Sequence, residues 1–408
     1  IKILEYMMVP GLIGELERIV LVKETKKETK LSLVGRKPFE NYGIVNPPIY
    51  RTSTVLFKNT KELEKAMSNK FNQVYYGRYG TPTTFALEDA IAEIENGYRT
   101  IATSSGLSSI SISLLSFLSK GDHCLISDCV YNPTKKFAIK ILNKFGVKVD
   151  FYDPLNISSL KKNIQSKTKI IFMESPSSLT FEIEEIQEIT KLAKKNKIVT
   201  MLDNSWATPL YFTPINEGVD VSILAATKYI SGHADVMLGL ITVKNINLFN
   251  QIKNTAVTLG DSPGPEECYL ALRGLRTLSS RLEHHRSSAL KIARWLQNND
   301  KVSKVLHPAL PKNPNYELWN KYFTGSTGLF SFILKEQSKS KVYKMIDKLE
   351  LFKLGFSWGG YESLILPVFP KSERKIAKWN EKGILLRIHV GLENVDDLIQ
   401  DLFKSFKL

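Results

Sequence analysis

Sulfur and histidine are scarce in this sequence, and their scarcity excludes several architectures. Its 408 residues hold three cysteines, Cys124, Cys129 and Cys268, with no CxxC pair, and six scattered histidines. No disulfide framework and no metal-ligand spacing can be drawn from them, and a reducing, cytoplasmic compartment follows. No apolar run approaches the ~18 residues that a membrane span needs. The sequence has neither a GxxxxGK phosphate loop nor a GxGxxG after a strand, so nucleoside-triphosphate and dinucleotide binding lose their main support. Internal repeats and low-complexity tracts are also missing.

What is present is an ordinary globular composition, with 43% hydrophobic and 24% charged residues and enough length for two or three domains. The net charge of +15 comes from 56 Lys+Arg against 41 Asp+Glu. Such an excess can attract nucleic acid, which is the remote alternative function. Yet the lysines fall in runs such as Lys161-Lys162 and Lys194-Lys195, as on solvated helix faces, without any recognition motif. Salt-dependent binding to DNA or RNA is the discriminating observation. Residues 1–25 carry the apolar stretch Arg18–Val22 among several glutamates and read as an extension of unassigned use, with Met7 or Met8 as the expected start.

From residue 81 onward the pattern alternates strand and helix. Strands are expected at 99–103, 123–126, 147–151, 169–173, 198–202, 219–224 and 236–243. The intervening helices fall at 85–94, 107–118, 135–145, 158–164 and 183–195. Seven strands separated by helices imply an α/β domain over 81–274, with a mostly parallel sheet flanked by helices. Beyond 274 a long helix (279–298) leads into strands at 329–334 and 384–390 and helices at 339–349 and 395–406, a smaller α+β domain over 275–408. Residues 1–80 form an extension and an irregular arm that must pack against the body or a second subunit.

Ligands of an open parallel sheet bind at the carboxyl ends of its strands. There the chain places Asp203, Lys228, Gly106 at the start of a helix, and Tyr131. Each has an ordinary reading: a turn cap, a surface lysine, a helix cap, a packed ring. His233 reads as a hydrogen-bonded structural histidine. Together they fit one chemistry. A lysine of lowered pKa forms a Schiff base, a carboxylate keeps a pyridine nitrogen protonated, a helix amino terminus holds a phosphate, and an aromatic ring covers the cofactor.

Asp203-Asn-Ser-Trp206, Ala225-Ala-Thr-Lys-Tyr-Ile-Ser-Gly-His233 and Tyr75-Tyr-Gly-Arg-Tyr-Gly80 resemble signatures of the Cys/Met-metabolism family of pyridoxal-phosphate enzymes, from about Lys30 to the carboxyl terminus. The resemblance implies an aspartate-aminotransferase-like fold and pyridoxal 5'-phosphate as cofactor. It implies that Lys228 carries the cofactor and moves the α-proton, that Asp203 pairs with the pyridine N–H, and that Tyr131 stacks on the ring with a catalytic part. The backbone at Gly106 and Leu107 and the Thr227 hydroxyl would bind the phosphate, joined by Tyr76 and Arg78 of a neighbouring subunit. Arg387 would clamp the substrate α-carboxylate, with Ser357, Trp358 and Tyr131 lining the substrate pocket.

Ser357-Trp-Gly-Gly-Tyr-Glu-Ser-Leu364 resembles the β-lyase version of this family, in which Trp358 and Tyr361 replace the Leu and the smaller residue usual in γ-lyases and γ-synthases. The implied reaction is cleavage of L-cystathionine to homocysteine, pyruvate and ammonia, a transsulfuration step of methionine biosynthesis. The alternatives are γ-elimination, γ-replacement and cysteine desulfhydration. Phe356 stands where related lyases often have Tyr. The implied assembly is a homotetramer, a dimer of dimers with sites shared between subunits. The partners are then an amino-acid substrate and further copies of the chain, with neither nucleic acid nor membrane.

Overall fold

The computed structural model describes residues 25–407. The stretch Arg18–Val22 lies outside them. Seven strands form the larger sheet: β1 (Arg99–Thr103), β2 (His123–Ser127), β3 (Lys148–Tyr152), β4 (Thr168–Glu174), β5 (Val199–Asp203), β6 (Val221–Ala225) and β7 (Gly239–Val243). Their spatial order is β1-β7-β6-β5-β4-β2-β3. Pairs from β3 through β6 are parallel, and β7 alone opposes its neighbours β6 and β1. Six strands therefore present their carboxyl ends on one edge.

β2 and β7 are buried throughout, and β4, β5 and β6 nearly so. That is why they read as unbroken apolar runs rather than as alternating strands. Helices cover the sheet with one apolar stripe each. In the helix Ile186–Lys195, Ile186, Ile189, Thr190 and Ala193 are buried at helical spacing while the lysines face water. The expected helix at 135–145 begins earlier, at Asn132, where Pro133 suits the first turn. It then widens into a π-helical segment, Ala138–Leu142, and ends in a tight turn capped by Gly146 in the left-handed region.

A second sheet contains β8 (Val302–Leu306), β9 (Leu329–Leu334), β10 (Lys353–Leu354), β11 (Leu364–Val368) and β12 (Ile384–His389), in the order β10-β11-β12-β9-β8. Phe330, Phe332, Leu386 and Ile388 pack it against the helices Leu278–Gln297 and Val395–Phe406. The two sheets meet through a shared cluster in which Trp206, Phe181 and Ile183 touch the group of Phe323, Leu329, Ile333 and Leu385. The Trp206 indole N–H donates to the Leu329 carbonyl at 2.9 Å, which ties the loop after β5 to β9. In the arm, Leu31 and Val34, at and after the helix Lys27–Leu33, join the core, but Phe39, Tyr42 and Leu56 are almost wholly exposed. Cys124, Cys129 and Cys268 are free and buried. No helix of the described residues is long and apolar enough to cross a membrane.

Candidate active site

The carboxyl ends of β4, β5 and β6 set the first groups in place. Asp203 closes β5, and Glu174 closes β4 opposite it in the parallel register. Asp203 is buried and accepts the Ser205 backbone N–H at 2.9 Å. Burial raises its carboxyl above the ordinary range, against the opposing pull of Ser205 and of the Lys228 charge. Lys228 follows β6 in a turn closed by its own N–H on the Ala225 carbonyl at 3.0 Å. Its ammonium donates to the Ser357 hydroxyl at 2.5 Å and stands 5.3 Å from the centre of the Trp358 ring. Burial first, and then the Arg387 charge, lower its pKa to about 8, although Asp203 pulls the other way. A lysine so placed is a nucleophile and base near neutral pH.

Arg387 enters from the second sheet. It lies on β12 and donates to the Ser357 carbonyl at 3.2 Å, so Ser357 holds Lys228 through its hydroxyl and Arg387 through its backbone. The Ser357–Gly360 turn reaches this position only with unusual backbone angles. Ser357 has φ +79° and Gly359 φ +89°. A Cβ on Gly359 would stand 2.8 Å from the Lys228 carbonyl carbon, so only glycine allows the turn to lie against the lysine. The Gly359 N–H donates to His389 Nε2 at 2.8 Å, and burial holds that imidazole well below its ordinary pKa, as the accepting neutral form. The Tyr229 ring packs on Trp358 at 5.4 Å between centroids.

Tyr131 stands at the start of the helix Asn132–Phe137, half-exposed, its backbone N–H held by the Glu174 carboxylate at 2.6 Å. Burial, then the charges of Glu174 and Asp203, raise its phenol, while Arg387 opposes them. Glu174 itself is pushed well above the carboxylate range by burial and by Asp203. The sequence reading missed Glu174, although it ends a buried strand at the same edge as Asp203.

Gly106 opens the helix Gly106–Leu115, with the Ser105 hydroxyl accepting the Ser108 N–H as its cap. A Cβ at Gly106 would meet the Ala225 Cβ at 2.7 Å, so the helix start abuts the end of β6 at the base of the Lys228 turn. Leu107 follows, exposed, and the first N–H groups of a helix have no intrahelical acceptor. The Thr227 hydroxyl exchanges hydrogen bonds with the backbone of Leu238, at 2.9 and 3.2 Å. Tyr76 and Arg78 flank and enter the short turn Gly77–Tyr79 and line a separate cavity with Ser262–Pro265. The Arg78 guanidinium donates to the Val257 carbonyl. Within one chain they do not join Lys228, whereas Asp203, Arg387, Ser357 and Trp358 do, and Tyr131 faces Asp203 and Arg387.

This donor set suits pyridoxal phosphate. A buried carboxylate at the β5 end makes no close ion pair among the described residues, an amine of depressed pKa faces it, and a helix start stripped of side-chain bulk lies beside them. Among the described residues no cluster of three or more His, Cys, Asp or Glu has a metal-binding arrangement.

Known proteins align with the chain over nearly its whole length. It is 39% identical over 390 residues to cystathionine beta-lyase MetC of Escherichia coli, covering 94% of this chain and 98% of that protein. It is 42% identical over 395 residues to an L-alanine/L-glutamate racemase of Wolbachia pipientis, covering 92% and 96%. Among solved structures, metB of Corynebacterium glutamicum superposes with a TM-score of 0.88 at 28% identity, covering 95% of this chain and 99% of that one. A putative O-acetylhomoserine (thiol)-lyase of Campylobacter jejuni, solved with a pyridoxyl-lysine monophosphate, covers 94% of this chain and 100% of its own at a TM-score of 0.85 and 28% identity. The model of the Cys/Met metabolism PLP-dependent enzymes matches residues 28–407, and the chain belongs to that pyridoxal-phosphate-dependent family.

Proposed function

We propose that this protein is a carbon–sulfur β-lyase that cleaves L-cystathionine to homocysteine, pyruvate and ammonia in the cytoplasm. The observation that carries the reading is the junction at Ser357, which joins Lys228 to Arg387 with the Trp358 ring beside the amine. Asp203 would pair with the pyridine N–H of the cofactor, Tyr131 would cover its ring, and the N–H groups of Gly106 and Leu107 with the Thr227 hydroxyl would bind its phosphate. Tyr76 and Arg78 would complete that cradle from a neighbouring subunit. The exposed apolar side chains of the arm, Phe39, Tyr42 and Leu56, support a neighbour there, in a dimer of dimers. The chain would then divide into the extension and arm (1–80), a cofactor-binding domain (81–274) and a carboxyl-terminal domain (275–408).

When bound, pyridoxal phosphate supplies an electron sink for the pair left at the substrate Cα. The residues do the rest. Arg387 pins the α-carboxylate with two parallel N–H donors, which fixes Cα relative to Lys228. The Lys228 Nζ, released from the Ser357 hydroxyl, takes the Cα proton. The same Nζ passes that proton to the sulfur as the Cβ–S bond breaks, so that the group departs as a thiol, with Trp358 and Ser357 walling the site against water.

One observation favours a second reading: a relative as similar as the lyases is named a racemase. Racemisation needs Lys228 and a second acid–base group on the other face of Cα, and Tyr131 is the candidate. The test is a product assay on holoenzyme. With L-cystathionine, equal amounts of pyruvate and homocysteine are expected. Cysteine with 2-oxobutyrate would move the protein to the γ-lyases. D-alanine formed from L-alanine, without product from cystathionine, would establish the racemase.

A further inference from the structure

Between β11 and β12 the chain forms a strap, residues 370–379, of which only Pro370 and Ala377 are buried. It leaves the end of a strand whose Leu366 lies opposite Arg387, so the strap hangs from the neighbour of the residue read as the carboxylate clamp. Between it and the body lies a cavity of ≈ 480 Å³, lined in part by Cys129, Leu306, Arg374, Ala377 and Trp379. Trp379 packs half-buried against the core at the strap's far end, but no residue from Lys371 to Ile376 is buried.

Polar ties hold that run. The carboxylate of Asp128, fully buried, accepts the backbone N–H groups of Lys375 (2.8 Å), Ile376 (2.6 Å) and Ala377 (2.8 Å). It also accepts the Lys135 ammonium at 2.8 Å, which in turn donates to the Glu373 carbonyl at 2.7 Å. A second tie joins Arg374 to Glu182 at 2.6 Å. Asp128 lies three residues before Tyr131 and Lys135 four residues after it. The segment that presents the ring-covering tyrosine is therefore the same segment that grips the strap. Burial lowers the Arg387 pKa below its ordinary value, and Tyr131 and then Glu373, at the strap's root, pull the other way.

We infer that Asp128, acting with Lys135, is a positioning residue for the amino-acid substrate: by fixing the strap it sets the separation between Tyr131, on the segment that grips the strap, and Arg387, on the strand beside the strap's root. The inference rests on the reading of Arg387 as the α-carboxylate clamp. The chemistry of the position is narrow. Three converging N–H donors and an ammonium need an anion with two oxygens. An asparagine would turn its own N–H groups toward donors.

The test uses holoenzyme and glycine, whose binding is read from the cofactor's visible absorbance and needs no turnover. Asp128→Asn should weaken glycine binding about tenfold or more, the loss of charge-assisted hydrogen bonds at one position. The cofactor's affinity and resting spectrum should stay as in the wild type, and trypsin should cut faster at Lys371, Arg374, Lys375 and Lys378. Unchanged glycine affinity would overturn the inference. So would a loss of cofactor and glycine binding in the same proportion without strap cleavage, since that is general damage. If Asp128→Asn does not fold, Lys135→Gln decides. It removes one tie and leaves the three backbone donors in place, and wild-type glycine affinity in that variant refutes the proposal. Wild-type protein that fails to bind glycine saturably would instead refute the clamp reading of Arg387.

Discussion

Lys228 owes its reactivity to its surroundings, and pH exposes that directly. Burial and the Arg387 charge bring its pKa from 10.5 to about 8. That fall corresponds to about 3 kcal/mol against the charged form, at ~1.4 kcal/mol for each pKa unit. At pH 7 about one Lys228 amine in ten is then neutral, where an unperturbed lysine would give about one in three thousand. The rate at which cofactor-free protein captures pyridoxal phosphate, followed by stopped-flow absorbance, should climb about tenfold between pH 6 and 7 and level off above about pH 8.5. Stability must follow the same linkage. The folded pKa lies below the unfolded one, so the unfolded chain binds the proton more tightly and stability falls as pH drops from 10.5 toward 8. Below 8 the penalty is fully present; above 10.5 it is absent. Lys228→Met should therefore stabilise the cofactor-free protein at pH 7 by up to about 3 kcal/mol in urea unfolding, less the lost bond to Ser357, and by little at pH 11. A capture rate still rising between pH 9 and 10, with parallel stability curves for the two proteins, would refute this account of the lysine.

Asp203→Ala should retain the fold and cut turnover by about two orders of magnitude or more, because a preorganised charge at the cofactor ring is lost; a wild-type kcat would remove Asp203 from its assigned role. Gly106→Ala forces a Cβ to within 2.7 Å of Ala225 and should displace the helix start from β6. The expected result is cofactor binding weakened about tenfold, as overpacking of 1–3 kcal/mol implies, measured by fluorescence titration. Ser357→Gly and Ser357→Ala both delete the hydroxyl held by Lys228, but only glycine relieves the backbone at φ +79°. The glycine variant should unfold at higher urea, by about 1 kcal/mol, and equal midpoints would deny the strain.

The larger sheet was legible because burial on both faces writes a strand as an apolar run. All seven strands lie within a few residues of their expected places. Three strands of the second sheet were not legible, for separate reasons. β8 exposes Ser303 and Lys304 in its middle, β10 has two residues, and β11 contains Pro367. Asp203 and Lys228 could be read from position alone, since each follows a buried strand at the ligand-binding edge. Arg387 and Ser357 could not. Their approach to Lys228 depends on the order of the second sheet and on a left-handed turn that no local pattern announces, and only family resemblance pointed to them. Glu174 and Asp128 escaped because a carboxylate after a strand is common. What distinguishes them is what faces them across the fold.

The groups that gather at Ser357 also bear on why similarity alone does not choose the reaction. In the proposed site Lys228, Asp203 and Arg387 would hold and deprotonate an α-amino acid, and every reaction that begins with loss of the Cα proton would need them. The branch comes afterwards. Elimination needs the Cβ–S bond held in line with the developing electron pair and a dry wall beside the departing thiol. Racemisation needs a proton returned from the opposite face and no leaving group at Cβ. Those demands fall on Trp358, Tyr131 and whatever fixes the distance between Tyr131 and Arg387. A ring as large as Trp358, pinned between Tyr229 and the Lys228 ammonium, is a wall that a proton-return mechanism does not require. Trimming it tests the point. Trp358→Ala should lower kcat/KM for cystathionine by about tenfold or more, on the scale of a large buried aromatic contact, while leaving hydrogen exchange at Cα of L-alanine close to the wild-type rate. If both rates fall together, Trp358 supports the lysine itself, and the branch between elimination and racemisation lies with Tyr131 instead.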